Sequence, residues 1–257
     1  SRIMRFLLGL AGCIPKTKAM SDAYTVKNLF RVRNRGDVTG IFPEGKRCWD
    51  GSTEEILYPT AKVLKAMGVP VVSFLTHGAY FSHPRWAATS RKGKIQVHYG
   101  ILFSEEQIKS YSVEEIYEKM CEALHTNEYH WQEKMMIPYE GKRLAEYLER
   151  LLFLCPKCGK TGTLYSKGDT LTCLSCGETV RYNIFGYFEK EKGRPLFRTV
   201  LEWNKWQLKR LEEIIRERLS NPGKPIFEDR DVTLFTGQKF LSLKKLRKGI
   251  LRLYTDR

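Results

Sequence analysis

The sequence predicts an α/β protein: a mixed sheet flanked by helices, then a small β zinc ribbon, then a C-terminal helix with a partial β domain. Strand-like and helix-like apolar patterns alternate over the first half of the 257 residues. Two Cys-x-x-Cys steps follow them, and a strongly periodic helix precedes a last stretch of alternating residues. We therefore expect an α/β domain over residues 1–126, a helical linker over 127–153, the ribbon over 154–187, and the helix with the partial β domain over 188–257.

The first helix is predicted over residues 1–12, where it ends at a glycine, and the second runs from Asp22 to Arg33 on apolar residues at helical spacing. Residues 38–42 have the apolar character of a buried strand. Pro59 is well placed as the first residue of a helix that ends at Gly68. A second buried strand is then expected over residues 69–76, in the strand–turn–helix–strand order of a βαβ-type core.

Further elements complete this α/β unit. Residues 94–100 alternate as a strand does, and Ser112 with Glu115 forms a capping box that opens a helix. Residues 77–86 form a loop rich in aromatic residues, the aromatic loop, which is a candidate contact for an apolar ligand or an interface, with packing beneath the loop as the simpler alternative. An amphipathic helical stretch is expected between Tyr129 and Leu154.

The composition favours anionic partners. The formal net charge is +15, with +10 over residues 1–100, −5 over 101–150 and +10 over 151–257. Such an excess suits a phospholipid surface, a phosphorylated substrate or nucleic acid. No apolar run approaches the roughly 20 residues of a membrane-spanning helix. Seven cysteines, four of them in Cys-x-x-Cys steps, point to a reducing compartment and a metal site.

The turn after residues 38–42 is the most distinctive stretch of the first half. A proline stops strand hydrogen bonding, a glycine permits positive φ, and two cationic side chains follow where the sheet is expected to end. The lysine offers a point charge and the arginine a planar fork, which together suit a phosphate or a carboxylate. We call this stretch the signature turn: Phe42, Pro43, Glu44, Gly45, Lys46 and Arg47.

The signature turn resembles the Phe-Pro-Glu-Gly-Thr-Arg block of the glycerophosphate and lysophospholipid acyltransferases, with Lys46 where Thr is usual. Two flanking segments resemble two further blocks of the same family. Residues 12–18 match its Gly-x-Ile-x-x-x-Arg block, with Lys18 in the Arg position. Residues 69–74 match its Val-Pro-x-x-Pro strand, with Ser73 in place of the second Pro. Three blocks in order are more specific than any one of them.

This resemblance implies an enzyme of phospholipid biosynthesis, peripheral on the cytoplasmic face of the membrane. The acyl donor would be acyl-CoA or acyl-carrier protein, and the acceptor a lysophosphatidate-like glycerophospholipid. It places acceptor binding on the signature turn and on Lys18. The family's catalytic His-x4-Asp block is absent, because none of the five histidines has an aspartate five positions later. We therefore expect an internal fragment of a longer enzyme, inactive by itself, or else a non-catalytic membrane-associated homologue.

The two Cys-x-x-Cys steps predict a four-thiolate structural zinc site. Fourteen residues separate the steps, and a glycine follows each of them, as zinc knuckles require. Four thiolates leave no open coordination position, so a catalytic metal is not expected. The predicted ligands are Cys155, Cys158, Cys173 and Cys176.

The second half also carries an alternative function. Zinc ribbons often bind nucleic acid, and this half is basic. The ribbon itself has few lysines and arginines, however. The aromatic residues of this region suit a packed strand as well as a base-stacking platform. We do not expect nucleic acid as the partner, but a zinc-ribbon nucleic-acid-binding protein stays open as an alternative. Beyond the ribbon, residues 199–219 predict a long helix and residues 225–257 predict strands.

Overall fold

The structure is a computed structural model that describes residues 2–14, 23–221, 223–237 and 243–255. The chain divides into two compact units, Gly40–Gln207 and the pair of segments Ser1–Thr39 and Leu208–Arg257. Lys18, predicted to bind the acceptor, lies outside the described residues. Across the described residues, no helix combines the length and apolarity needed to cross a bilayer.

The first two helices match the sequence prediction. Helix α1 spans Arg2–Leu10 and helix α2 spans Ala23–Asn34. Arg31 and Arg33 lie in the last turn of α2, where positive charge complements the helix dipole.

The strand predicted at residues 38–42 is wrong. These residues form an irregular segment, with Val38 98% exposed and Phe42 91% exposed. A strand needs a neighbouring strand to satisfy its backbone hydrogen bonds, and among the described residues none pairs with this segment. Apolar residues alone therefore did not make a strand here.

Helix α3 spans Tyr58–Met67, with Pro59 in its first turn and Gly68 as its C-cap. Strand β1, Val71–His77, leads into the short helix α4, Ala79–Ser82, and then to strand β2, Gln96–Phe103. The predicted βαβ-type core is wrong, because residues 38–42, which should supply its first strand, are irregular. Strand β1 pairs antiparallel with β2 instead, so the predicted mixed sheet is corrected to a two-stranded antiparallel sheet. The burial expected for β1 is also wrong, because its residues alternate between exposed and half-buried.

Two helices with complete capping boxes follow β2. Helix α5 spans Glu105–Ser110 after Ser104, and helix α6 spans Val113–Leu124 after Ser112. The box at Ser112 confirms the prediction; the one at Ser104 was not recognised in the sequence. These helices pack with α3 and the end of β2 around a small apolar core: Ile56, Ala61, Phe103, Ile108, Ile116 and Met120.

Helix α7, Glu128–Met135, is shorter than the predicted amphipathic stretch. Between α7 and Leu154, the helical part is limited to one 3-10 turn at Leu148–Arg150. Positive φ angles at Met136, Arg143 and Tyr147 interrupt the backbone, which excludes a continuous α-helix to Leu154. The apolar residues of this segment are nonetheless buried, because the irregular chain carries Leu144 and Leu148 into the main core.

The ribbon is a four-stranded antiparallel sheet in the order β3–β4–β5–β6. The strands are β3, Leu164–Lys167; β4, Thr170–Cys173; β5, Thr179–Tyr182; and β6, Phe188–Glu189. The first two correspond to the predicted ribbon, and the last two extend it. Buried and exposed residues alternate along these strands, so one face of the sheet lies in the core.

Helix α8 spans Val200–Leu219, as predicted. Its first half carries Val200, Leu201 and Trp203 into the core of the Gly40–Gln207 unit. Strands β7, Phe227–Thr236, and β8, Lys244–Leu253, then form an antiparallel hairpin whose residues are mostly exposed.

The main core of the Gly40–Gln207 unit joins segments that are distant in sequence. Trp86 is fully buried and meets Tyr182 of β5 edge-on, with ring centroids 5.5 Å apart. Trp203 of α8 meets Phe188 of β6 at 5.4 Å and donates from Nε1 to the Leu154 carbonyl at 2.9 Å. The aromatic loop, the ribbon and helix α8 therefore share one core, and the aromatic residues Tyr80, Phe81 and Trp86 are core residues.

Candidate functional site

The signature turn has the tight geometry that its sequence predicts. The Gly45 amide donates to the Phe42 carbonyl at 3.1 Å, and the Leu57 amide donates to the Pro43 carbonyl at 3.1 Å. Gly45 has φ +64°, a left-handed conformation that other residues rarely adopt. These bonds hold the turn against the segment that leads into α3, although no strand precedes it.

Glu44 points back into the protein. Its Oε2 accepts the Glu54 amide at 2.8 Å, and burial raises the pKa of the carboxyl, an effect to which the nearby Glu54 carboxylate adds. The Glu44 side chain therefore braces the turn, and its ionised form is disfavoured by folding.

The two cations of the turn have different surroundings. Lys46 Nζ lies 2.9 Å from Glu54 Oε2, so its charge is compensated within the protein. The Arg47 side chain is exposed, and within the described part of the chain it forms no salt bridge. Both side chains are exposed, and Arg47 is the one without a paired carboxylate among the described residues, so its charge is the more available to an anion.

Arg85 reaches the signature turn from the aromatic loop. Its Nη1 donates to the Arg47 carbonyl oxygen at 3.2 Å, and its guanidinium lies over the Trp49 ring, 4.3 Å from the ring centroid. No local sequence pattern indicates this contact, because 38 residues separate Arg85 from Arg47. Only the folding of the loop onto the turn reveals it.

Cys48, directly after the turn, is not a nucleophile. It is half-buried, and burial raises the pKa of its thiol to about 11. Since the thiolate is the reactive form, this cysteine stays protonated and inert near neutral pH.

The structure also contains a His–carboxylate pair that no local sequence pattern indicates. His77 Nδ1 lies 2.9 Å from Glu128 Oε1, and Glu128 Oε2 accepts the Gly78 amide at 2.6 Å. The imidazole stacks on Trp131, with centroids 5.5 Å apart. Burial raises the pKa of the Glu128 carboxyl, although these two bonds oppose the shift. The pair fastens the end of β1 to α7.

The other two blocks of the resemblance are only partly described. Gly12 and Cys13 follow α1, while the positions from 15 to 22, including Lys18, lie outside the described residues. Ser73 lies within β1, where its hydroxyl donates to the Gly100 carbonyl of β2 at 3.3 Å. The structure thus describes the signature turn as a candidate site without its predicted partner Lys18.

The four predicted cysteine ligands come together. Their sulfur atoms all lie within 4.8 Å of one another, close enough to bind a metal ion. Cys155 Sγ and Cys176 Sγ are 3.7 Å apart, and Cys158 Sγ and Cys173 Sγ are 3.8 Å apart. Four thiolates placed about 2.3 Å from a tetrahedral zinc ion have edges of about 3.8 Å. The donor set and its dimensions fit that ion.

The surroundings of the cysteines support a closed metal centre. Gly159 and Gly177, the residues after each knuckle, have φ +69° and +72°, as predicted for such turns. The Thr163 hydroxyl lies 3.2 Å from Cys173 Sγ, within reach to donate to it. Cys155 and Cys173 are fully buried in the main core. Four cysteine thiolates would fill a tetrahedral coordination shell, so an ion bound here would have no open position for a substrate.

Comparisons with known proteins give no family: no family profile, curated protein or solved structure matches this chain.

Proposed function

We propose that this chain carries the acceptor-binding half of an acyltransferase active site. The reaction would transfer a fatty acyl group from acyl-CoA or acyl-carrier protein to the free hydroxyl of a lysophosphatidate-like acceptor. Such an enzyme would work as a peripheral protein at the cytoplasmic face of a membrane, where its acceptor resides. The proposal rests first on the presence of three family-like blocks in the family's order.

The observation that supports the proposal best is the exposed Arg47 guanidinium on the braced signature turn. A phosphate monoester carries up to two negative charges, and a planar guanidinium can bind it through two parallel hydrogen bonds. Lys46 contributes less in this account because Glu54 compensates its charge at 2.9 Å. Glu44 and Gly45 shape the turn and do not contact the acceptor phosphate.

Binding of two lipids with the same acyl chain tests this role of Arg47. We expect the chain to bind 1-oleoyl lysophosphatidate more tightly than 1-oleoyl lysophosphatidylcholine, whose phosphate is a diester. Arg47→Ala should remove most of that preference, whereas Arg181→Ala, an equal loss of charge on the exposed side of β5, should leave it unchanged. Equal binding of both lipids by the unsubstituted chain would reject the acceptor site.

We also propose that the four-thiolate centre holds a structural zinc ion. The supporting observation is the fit of the sulfur positions to a tetrahedron of zinc–thiolate bonds. When bound, the ion would cross-link the two knuckles and stabilise the core they share with α8. Metal analysis of the purified chain should find one zinc per molecule, and a value far below one would contradict the assignment.

A further inference from the structure

Arg85 is held in a fixed position beside the signature turn. The next residue, Trp86, is fully buried and packs on Tyr182, and the Arg91 guanidinium lies 5.0 Å from its ring centroid. The Ala87 amide donates to the Pro84 carbonyl at 3.0 Å and closes a turn around Arg85. The aromatic loop is therefore anchored on both sides of Arg85, and the contacts with the Arg47 carbonyl and with Trp49 hold its guanidinium beside the turn.

The charge of Arg85 is not compensated by an acid. Within the described ranges, no carboxylate lies at ion-pair distance from either Arg85 or Arg47. Arg85 uses one of its five N–H donors on the Arg47 carbonyl, and Trp49 covers one face of the guanidinium. Arg85 is half-buried, and its other donors form no hydrogen bond within the described part of the chain, so they remain available to an anion.

The Arg85 guanidinium therefore lies beside the backbone from which the Arg47 side chain extends. The Arg47 side chain starts from the Cα atom next to the carbonyl that Arg85 contacts, so both groups can reach one anion. Two like charges without a counter-ion repel each other, and a dianion between them removes that repulsion. Phosphate monoesters, with two charges and three terminal oxygens, match this arrangement better than a carboxylate does.

Resting on the proposed function, we infer that Arg85 is a binding residue of the same site and forms, with Arg47, a two-guanidinium clamp for the phosphate monoester of the acceptor. Trp49 sets the plane of the Arg85 guanidinium by stacking against it. Lys46 is not the second cation of this clamp, because Glu54 already pairs with it.

Calorimetric titration of the 257-residue chain with sn-glycerol 3-phosphate tests the clamp. Arg85→Gln keeps a planar polar group and removes the charge, and we expect it to weaken binding about 10-fold to 100-fold, the loss typical of a charge-assisted hydrogen bond. Arg85→Lys should recover part of that loss, since the charge returns without the fork. The matched control is Arg150→Gln, because Arg150 is exposed and also stacks on an aromatic ring, at 4.0 Å from Tyr147.

The outcomes separate this inference from the proposed function. If Arg47→Ala weakens binding and Arg85→Gln does not, the clamp is wrong while the acceptor site stands. If the unsubstituted chain does not bind glycerol 3-phosphate at millimolar concentration, both are rejected. Coenzyme A serves as the second ligand: if Arg85→Gln weakens coenzyme A binding and leaves glycerol 3-phosphate binding unchanged, Arg85 serves the acyl donor and the assignment to the acceptor is overturned. Near-ultraviolet circular dichroism identical to that of the unsubstituted chain verifies the fold of each variant.

Discussion

Burial alternates from residue to residue in strand β1 of the hairpin β1–β2, as it does in strands β3, β4 and β5 of the ribbon sheet, yet the two sheets differ in what covers them. In the ribbon, one face lies in the main core against Phe81, Trp86 and Trp203. In the hairpin, Phe74 is 64% exposed and its cross-strand partner Tyr99 is 78% exposed. Alternating burial thus shows only that the two faces of a strand differ in exposure. Whether the apolar face is covered depends on segments elsewhere in the chain.

The metal centre should produce the largest effect in this comparison. Cys173→Ser removes a buried ligand, and we expect the unfolding free energy to fall by more than the about 3–5 kcal/mol typical of a large core truncation, because the binding free energy of a structural metal is folding free energy. Urea unfolding, with the zinc content measured in parallel, checks this. Cys13→Ser, at an exposed cysteine of the other unit, should change neither quantity. Unchanged stability in Cys173→Ser would mean that the ribbon folds without its metal.

Truncation of one aromatic residue in each region compares them directly. Trp86→Ala should cost about 3–5 kcal/mol of unfolding free energy, since it empties a fully buried site in the main core. Phe74→Ala should cost less than about 0.5 kcal/mol, because that ring is mostly solvated in the folded state. Urea denaturation of both variants measures the difference. Similar losses would show that the hairpin face is covered in solution.

The signature turn should produce the smallest effect, and it should depend on pH. Because burial raises the pKa of Glu44, the protonated carboxyl makes its full contribution to the free energy of unfolding below the ordinary carboxyl pKa of about 4.3. That contribution is lost as the pH rises through the raised pKa of the folded state. Gln cannot ionise, and its side-chain oxygen can still accept the Glu54 amide. We therefore expect Glu44→Gln to match the unsubstituted chain in acid and to be slightly more stable near neutral pH.

Urea unfolding at a series of pH values provides that measurement. Glu105→Gln is a suitable comparison, because its partner Lys109 lowers the pKa of Glu105 and the sign of the pH dependence reverses. A Glu44→Gln variant that is less stable than the unsubstituted chain at neutral pH would contradict the assignment of burial as the dominant influence.

Local signals were sufficient for the ends of several helices and for the metal ligands. Pro59 and Gly68 delimit α3, the Ser112–Glu115 box opens α6, and both predictions are confirmed because capping groups act within one turn of the helix end. The four cysteines were found from their spacing alone, since knuckle geometry is local on each side of the ion.

The strands and the site contacts could not be predicted in the same way. Residues 38–42 have strand-like composition but lack a pairing strand among the described residues, so the crossover expected from them through α3 to β1 does not form. Strand β1 pairs antiparallel with β2 instead. The long helix predicted up to Leu154 ended at Met135, because three later residues adopt positive φ. In each case the deciding interaction is absent from the local pattern.

By itself, the sequence determined the knuckle cysteines, the main helix ends and the tight turn at Gly45, because each depends on residues a few positions apart. Only the tertiary structure decided that Arg85 meets the signature turn, that Glu128 holds His77, and which apolar faces are buried. Those contacts join residues 38 and 51 positions apart. The physical reason is that a side chain's partner and burial depend on how distant segments pack, which neither residue type nor periodicity encodes locally.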